Sequence, residues 1–233
     1  MTETRIGKES LLLYFIMGSQ NTPYDPLWVL QEAIRGGITC FQFREKGEGA
    51  KQGEERVDLA KAMQEICKKH HLPYLIDDDV QLALFLDADG VHIGQEDEDI
   101  HRVREKIGKE KILGVSVQTV EEALIAQEEG ADYLGVGPIY PTSTKKDAKE
   151  AVGPLFVRKL REAGVYLPMV GIGGIRPGNA LPVIREGADG IAIISSISQA
   201  ENPGEVAIAL RKEVKKALFF GSSFIAENHH NRS

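Results

Sequence analysis

The sequence predicts a single α/β domain folded as one (β/α)8 barrel, the TIM-barrel architecture, and three observations support this prediction. Eight short, continuously apolar runs recur along the chain, as expected for parallel strands covered on both faces. Helical stretches lie between these runs. The length of 233 residues falls within the roughly 200–250 residues typical of one such barrel.

The predicted strands, in chain order, are Leu12–Met17, Thr39–Phe43, Tyr74–Ile76, Gly90–Ile93, Ile112–Val115, Tyr133–Val136, Met169–Gly171 and Gly190–Ile194. Three segments resemble one another, namely Ala88–Ile93, Ala131–Val136 and Ala188–Ile193, and each reads as a helix end, a tight turn and a buried strand. Repeated βα units with short connections favour the closed barrel. A doubly wound open sheet is the alternative, but no Gly-x-Gly-x-x-Gly follows the first strand.

Helix signals fall between these strands, where a barrel requires them. Asp25-Pro26 predicts an N-cap followed by proline at the first helical position, and Gly36-Gly37 ends that helix. Glu54 to Lys69 carries apolar residues at helical spacing. The other signals are a capping box at Thr119 and Glu122, closed by Gly130, and a last helix from Asn202-Pro203 to about Leu218. We therefore expect one barrel domain over residues 1–220 and a disordered polar tail over 221–233.

Composition excludes several classes of function. The net charge of −7 and the pI of about 5.5 argue against a nucleic-acid partner, since proteins that bind phosphate backbones are usually basic. No apolar stretch approaches the roughly 18 residues that a membrane span needs, and Met1–Ser10 lacks the apolar core of a signal peptide. The two cysteines, Cys40 and Cys67, lack ligand spacing. We expect a reduced, cytoplasmic setting and small-molecule partners.

Cationic side chains follow the second predicted strand. Gln42, Arg44 and Lys46 alternate along the chain and so share one side, which faces the mouth of a barrel at the strand's carboxyl end. A guanidinium and an ammonium group together make a clamp for a diphosphate. The alternative is a solvated basic loop paired with Glu45 and Glu48.

Carboxylates follow the third and fourth strands. Asp77, Asp78 and Asp79 are adjacent and repel one another, so a structural role for all three is unfavourable. Capping of the next helix by Asp79 explains only one of them. Asp97 follows the neighbouring strand. Two carboxylates at neighbouring strand ends suit a shared Mg²⁺, whose remaining ligands are water and phosphate.

Three later loops complete the predicted mouth. Gly171–Ile175 ends the seventh strand and Ile194–Ser196 ends the eighth, which are the usual phosphate-binding positions of a barrel, although glycines also serve tight turns. Gly137–Lys146 forms a long loop with hydroxyls and lysines, which predicts either a lid that orders on an anion or a flexible surface loop. Ser116 faces the same mouth, unless it is a buried hydroxyl, and His92 is interpreted as a core histidine.

Together these motifs resemble the thiamine-phosphate synthase family, which joins the pyrimidine and thiazole halves of thiamine. The resemblance extends from about Leu13 to Ala200. Its markers are Gln42–Lys46, Asp78, Gly94-Gln95 with Asp97, Gly137-Pro138 with Thr142–Lys145, and Gly171–Ile175. It implies a Mg²⁺-dependent transferase that couples 4-amino-2-methyl-5-(diphosphooxymethyl)pyrimidine with thiazole phosphate, giving thiamine phosphate and pyrophosphate. The mechanism it implies is substitution at the pyrimidine methylene.

The resemblance also implies a role for each matching residue. Mg²⁺ is expected on Asp78 and Asp97. The pyrimidine diphosphate is expected on Gln42, Phe43, Arg44, Glu45, Lys46, Asp77, Ser116 and Lys145, of which Arg44, Lys46, Ser116 and Lys145 are the expected catalytic residues. The thiazole phosphate is expected on Thr142, Ser143, Thr144, Gly174, Ile194 and Ser195.

One residue departs from the family pattern, since Asp77 stands where the family commonly has asparagine before the first metal-binding aspartate. A carboxylate only accepts hydrogen bonds, whereas an amide both donates and accepts. We expect Asp77 to accept from the pyrimidine amine, the alternative being that it turns toward the metal.

Three competing functions share parts of this pattern. A thiazole tautomerase uses a similar barrel but needs neither the diphosphate clamp nor the paired aspartates. The second competitor is a non-catalytic sensor of phosphorylated ligands. The third, an isomerase of phosphorylated sugars, shares only the phosphate site. The presence of both clamp and aspartate pair favours the synthase.

Overall fold

The structure is a computed structural model that describes residues 6–142, 144 and 150–230. Eight parallel strands close into a barrel in the order of the chain, and β8 pairs with β1. The strands are β1 Leu13–Met17, β2 Cys40–Phe43, β3 Tyr74–Asp77, β4 Gly90–Ile93, β5 Ile112–Val117, β6 Tyr133–Val136, β7 Met169–Ile172 and β8 Gly190–Ile193. The predicted barrel is therefore confirmed, and the open sheet is excluded.

Helices surround the barrel and connect successive strands. They are α1 Pro26–Arg35, α2 Gly53–Lys69, α3 Val80–Phe85, α4 Ile100–Ile107, α5 Val120–Glu128, α6 Leu155–Glu162, α7 Ala180–Arg185, α8 Ser195–Ser198 and α9 Pro203–His230. Short 3-10 helices cover Lys8–Leu11 and Ser19–Asn21. No helix in the part of the chain that the structure describes is long and apolar enough to cross a membrane.

Local sequence signals begin the helices where they were predicted. Asp25 accepts a hydrogen bond from the Trp28 N–H at 2.7 Å, and Pro26 is the first residue of α1. Thr119 and Glu122 form the predicted capping box at the start of α5. The last helix continues to His230, past the residue-220 boundary between the predicted barrel domain and tail. Because side chains from residue 220 onward lie outside the described set, that division stays a prediction.

Two apolar layers follow from strand alternation. Side chains that point into the barrel include Tyr14, Cys40, Leu75 and Tyr133, all almost fully buried. The alternate positions, such as Phe41, point outward and pack under the helices. This pleat fixes which residues can reach the barrel mouth, because every second residue of a strand faces the interior.

The repeated Ala-Asp segments perform a structural task at the opposite end of the barrel from the mouth. The carboxylate of Asp132 accepts from the Leu113 N–H at 2.8 Å and from Arg104 of α4 at 2.6 Å. Asp189 accepts in the same way from the Met169 N–H at 2.9 Å and from Arg161 of α6 at 2.6 Å. Each aspartate thus ties the start of the preceding strand to a helix. The repeat therefore belongs to the fold rather than to the site.

Candidate functional site

A cavity of about 440 Å³ opens at the carboxyl ends of the strands. Eleven of the residues predicted for the site line it, namely Arg44, Lys46, Asp77, Asp78, Asp97, Ser116, Thr142, Thr144, Gly174, Ile194 and Ser195. Ser143 and Lys145 lie outside the described residues, so their predicted roles stay predictions. Gln42, Phe43 and Glu45 are not among the residues that line the cavity.

The three residues of the Gln42–Glu45 segment that do not line the cavity each point elsewhere. Phe43 faces outward into the layer under the helices, as the pleat requires. Gln42 faces the barrel interior, where its amide donates to the Tyr14 hydroxyl at 2.7 Å. Glu45 is 5% exposed, and its carboxylate accepts from the Ser19 N–H, the Ser19 hydroxyl and the Lys51 N–H at 2.6–2.7 Å. Glu45 therefore fastens the loops that follow β1 and β2.

A second contact fixes the cationic loop after β2. The side-chain amide of Gln20 donates to the backbone oxygens of Arg44 and Lys46, both at 3.0 Å. The Arg44 N–H donates to the Met17 oxygen at 3.0 Å. Gly18 lies so close that a Cβ there would be 2.2 Å from the Arg44 oxygen. The turn after β1 thus sets the position of both cations. Ser19 and Gln20 were not predicted for the site because their partners lie far along the chain.

Arg44 carries a buried charge with capacity left for a ligand. Its Nε lies 3.2 Å from Asp77 Oδ2, with both side chains about nine-tenths buried. The pair is ionic, but its geometry is not that of a hydrogen bond, and within the described residues no acceptor completes a bond to that Nε–H. Arg44 also lines the cavity, so the rest of its guanidinium group can meet an anionic ligand there.

Carboxylates from two neighbouring strand ends meet beside Lys46. The Lys46 Nζ lies 2.5 Å from Asp78 Oδ2, and Asp97 Oδ2 accepts from the Gly94 N–H at 2.6 Å. Asp78 is held in the left-handed region, with φ of 60°, while its N–H donates to the His92 oxygen at 2.8 Å. The chain therefore accepts backbone strain in order to present this carboxylate.

The electrostatics of this group reflect crowding of negative charge. Burial, the Asp77 charge and a hydrogen bond shared with Asp97 raise the pKa of Asp78 from 3.8 to about 7. Burial opposes ionisation of Asp97, yet its bonds with Asp78 and the Gly94 N–H lower its pKa on balance. The hydrogen bond to Asp78 raises the pKa of Lys46, which stays charged. Ionisation of Asp78 is thus disfavoured unless a cation balances the negative charge of the pair.

Asp79 belongs to the fold, as the capping alternative predicted. Its carboxylate accepts from the Leu82 N–H at 2.9 Å at the start of α3, and it pairs with Arg56 at 2.7 Å. The acidic run therefore divides, with Asp77 and Asp78 facing the cavity and Asp79 capping the helix.

The far side of the cavity is built by the loops after β6, β7 and β8. The Thr144 hydroxyl lies 3.2 Å from the Ser195 hydroxyl, so the first and last of these loops meet. Gly173 and Gly174 adopt φ of 96° and 65°, which favours glycine at both positions. Asn179 holds the Gly174 oxygen at 3.0 Å. Hydroxyl groups and glycine residues thus face the cavity opposite the cations.

Comparison with known proteins decides the family. Residues 13–197 match the family model described as thiamine monophosphate synthase. The chain belongs to the thiamine monophosphate synthase family. A thiamine-phosphate synthase of Geobacillus kaustophilus (strain HTA426) is 57% identical over 210 residues, which cover 90% of this chain and 95% of the relative. One of Bacillus mycoides (strain KBAB4) is 57% identical over 208 residues, covering 89% and 94%.

A solved structure agrees with this assignment. The thiamine phosphate pyrophosphorylase from Pyrococcus furiosus is 36% identical, with a TM-score of 0.81, and the match covers 91% of this chain and 98% of that one. The predicted family, the predicted enzyme class, a transferase that releases pyrophosphate, and the link to thiamine biosynthesis are confirmed. The chain is thus an enzyme of the thiamine monophosphate synthase family.

Several residues of the cavity had no predicted role in the site. His92, interpreted as a core histidine, is buried but also lines the cavity, and Gln95 donates to the Ser116 oxygen at 2.7 Å. Gln118 lines it as well, and so does Ile172, which lies within the predicted phosphate-binding segment Gly171–Ile175. Alternation was the available signal for His92, because Gly90 and His92 share the inward phase of β4.

Proposed function

We propose that this cavity takes a pyrimidine diphosphate and a thiazole phosphate together and joins them, releasing pyrophosphate. One observation carries the proposal: a single cavity has two cations and paired carboxylates on one side, and hydroxyls with glycine residues on the other. Two anionic substrates of different size need two such ends. The relatives' names, thiamine-phosphate synthase and thiamine phosphate pyrophosphorylase, support the same reaction.

The cationic side is proposed as the diphosphate end. Arg44 offers a guanidinium group that lines the cavity, and Lys46 offers a charged ammonium group. Both backbones are fixed by Gln20, which limits the reorganisation needed on binding. As the bond to the methylene breaks, negative charge grows on the leaving oxygen, and these cations stabilise it most at that stage. Lys145 is proposed to assist them.

The residues present fit a Mg²⁺ ion. No group of three or more His, Cys, Asp or Glu side chains arranged for a metal occurs among the described residues. Mg²⁺ needs fewer, because it is commonly held by one or two carboxylates, with water and substrate phosphate completing the octahedron. Asp78 and Asp97 supply that pair, and the hydrogen bond between them holds the two carboxyl groups close together. When bound, Mg²⁺ would neutralise charge on the diphosphate.

The opposite side is proposed for the thiazole phosphate. Thr142, Thr144 and Ser195 supply hydroxyl donors, Gly174 and Ile194 supply backbone at the cavity wall, and Ser143 belongs to the same loop. Such donors hold a phosphate monoester at the barrel mouth. The thiazole nitrogen would then attack the pyrimidine methylene. No general base is needed, because that nitrogen has no proton to lose.

Asp77 is proposed to accept a hydrogen bond from the pyrimidine amine. It lines the cavity, and its charge is partly balanced by Arg44 at 3.2 Å. We also propose a cytoplasmic location, because both cysteines are free and buried, as is usual in a reducing compartment.

The test is pyrophosphate release by the purified enzyme with both substrates and Mg²⁺, followed by omission of each component. We expect release only when both substrates and the metal are present. Turnover of the thiazole phosphate without pyrophosphate would instead indicate a tautomerase. Binding of both ligands without product would indicate a sensor, and full activity in excess chelator would contradict the metal assignment.

A further inference from the structure

Five polar side chains form a continuous hydrogen-bonded chain through the barrel interior to the cavity. The Gln42 amide nitrogen lies 2.7 Å from the Tyr14 hydroxyl, which lies 2.9 Å from the Tyr133 hydroxyl. His92 Nδ1 lies 2.8 Å from the Tyr133 hydroxyl, and His92 Nε2 lies 2.8 Å from Ser116 Oγ. The chain thus connects the packed core to a residue that lines the cavity.

The two tyrosines are neutral phenols, so each brings one proton. Burial raises the pKa of Tyr14 and of Tyr133 well above the ordinary 10.0. Each hydroxyl has two partners along the chain and one hydrogen to donate. In a buried site an unpaired phenolic proton is costly, so each tyrosine accepts from one neighbour and donates to the other.

The direction of every bond then follows from the first one. A side-chain NH₂ group donates only, so the Tyr14 oxygen accepts from Gln42 and its proton goes to Tyr133. Tyr133 therefore donates to His92 Nδ1, which makes that nitrogen the acceptor and leaves the imidazole proton on Nε2. The Nε2–H donates to Ser116 Oγ, whose own proton remains for the cavity.

We propose that Gln42, Tyr14, Tyr133 and His92 are positioning residues that fix the Ser116 hydroxyl as a hydrogen-bond donor to the bound pyrimidine diphosphate. The proposal rests on the proposed function for the identity of that ligand. It assigns Gln42 to the support of the site. It also specifies the chemistry that Ser116 recognises, namely an acceptor such as a phosphoryl oxygen or an unprotonated ring nitrogen. If every hydrogen bond in the chain had the opposite direction, Ser116 would be an acceptor. It would then disfavour both a phosphoryl oxygen and an unprotonated ring nitrogen.

Two strand glycines support this inference independently. A Cβ at Gly114 of β5 would lie 2.3 Å from the Tyr133 hydroxyl and 2.4 Å from His92 Nδ1. A Cβ at Gly135 of β6 would lie 3.2 Å from the His92 ring. Neither glycine has the positive φ that would itself favour glycine. Their small size therefore keeps the space in which the central bond of the chain forms.

The direct test is the tautomer of His92 in the substrate-free protein. The protein has six histidines. The signals of His92 in the spectrum of ¹⁵N-histidine-labelled protein are identified by their loss in the His92→Gln variant. We expect an unprotonated Nδ1 and a protonated Nε2. A ring protonated at Nδ1, or at both nitrogens, would overturn the proposed direction. This result does not depend on substrate, so it stands apart from any failure of the proposed function.

A matched pair of variants tests whether the chain acts through Ser116. Tyr133→Phe removes the link to His92. Tyr74→Phe is the control, because it removes a buried hydroxyl that donates to the Ala60 oxygen at 2.8 Å and does not belong to the hydrogen-bonded chain. We expect Tyr133→Phe to lower kcat/KM for the pyrimidine diphosphate about tenfold, and Tyr74→Phe to leave it within about twofold of the wild-type value.

The same two changes are then made in a Ser116→Ala background. We expect Tyr133→Phe to have no further effect there, because its influence passes through the missing hydroxyl. Equal effects of the two phenylalanine changes in the wild-type background would overturn the proposal. So would an undiminished loss from Tyr133→Phe without Ser116. If Tyr133→Phe does not fold, the wild-type tautomer alone decides.

Discussion

Asp77 carries a buried negative charge beside two other carboxylates. This buried charge is tolerated because Arg44 pairs with it. The two side chains approach to 3.2 Å, and Asp77 is 8% exposed. The Asp77 charge also contributes to the raised pKa of Asp78. Asp77 therefore neutralises part of the Arg44 charge, and it favours the protonated form of Asp78.

Replacement of Asp77 by asparagine tests this balance. Asp77→Asn keeps an acceptor for the pyrimidine amine and removes one negative charge near the diphosphate. We expect the KM for the pyrimidine diphosphate to fall about fivefold, since like charges at 4 Å repel by roughly 1 kcal/mol in water. The Mg²⁺ requirement should not change. Steady-state kinetics at several Mg²⁺ concentrations provide the measurement, and a large loss of turnover would show a different role for Asp77.

The pKa of Asp78 predicts a pH dependence of stability without metal. Because this pKa is raised to about 7, the folded protein holds a proton that the unfolded chain releases near 3.8. The stabilisation is complete below that lower value and is lost as pH rises through about 7. Urea unfolding in chelator should show wild type losing stability relative to Asp78→Asn over this window. Parallel pH profiles would contradict the assignment.

Mg²⁺ binding should show the opposite trend with pH. The ion competes with the proton that Asp78 holds, so its affinity should rise as pH increases through about 7. Calorimetric titration of Mg²⁺ in the presence of pyrophosphate provides the measurement. Affinity that is constant across this window would separate the metal from Asp78.

At the scale of elements, two of the three repeated aspartates, Asp132 and Asp189, are each paired with an arginine that joins a helix to a strand. Arg161 of α6 donates to the oxygens of Val165, Leu167 and Gly187 as well as to Asp189. Arg104 of α4 makes the corresponding contacts. These contacts satisfy backbone groups at helix ends that would otherwise lack partners.

Loss of this arginine should reduce stability without affecting catalysis. Arg161→Met removes the donor from three backbone oxygens and the guanidinium from Asp189, which keeps the Met169 N–H and the Lys8 ammonium group as partners. We expect a loss of about 2–3 kcal/mol in the free energy of unfolding. Arg158→Met is the matched control, because Arg158 lies on the same helix and pairs with Glu186 at its more exposed surface. It should cost less than about 1 kcal/mol. Equal losses in urea unfolding would contradict the proposed role.

The expectations for the loop from Pro141 to Ala151 come from its sequence, since most of the loop lies outside the described residues. Its length, its hydroxyls and its lysines predict that it orders when both substrates bind. Hydrogen exchange of its amides with and without substrates provides the measurement, and equal protection in both states would remove the lid hypothesis.

For the whole molecule, the features that sequence predicts are those that depend on local pattern. Continuous apolar runs predicted all eight strands. Arg44, Asp78 and Asp97 follow strand ends in the sequence, and they line one cavity at the barrel mouth, as expected. The support of that mouth was not predicted. Ser19 meets Glu45 across 26 residues, and Tyr14 meets Tyr133 across 119. Such contacts depend on which inward positions oppose one another in the closed barrel, which no local pattern specifies.

The central claim is that the cavity's cationic side stabilises the leaving diphosphate. Lys46, paired with Asp78 at 2.5 Å, has a matched control in Lys111, paired with Asp87 at 2.6 Å away from the cavity. The decisive measurement is the single-turnover rate of pyrophosphate release at saturating substrates and Mg²⁺. We predict a fall of about 100-fold or more in Lys46→Met and a rate within about twofold of wild type in Lys111→Met. An unchanged rate in Lys46→Met would contradict the account.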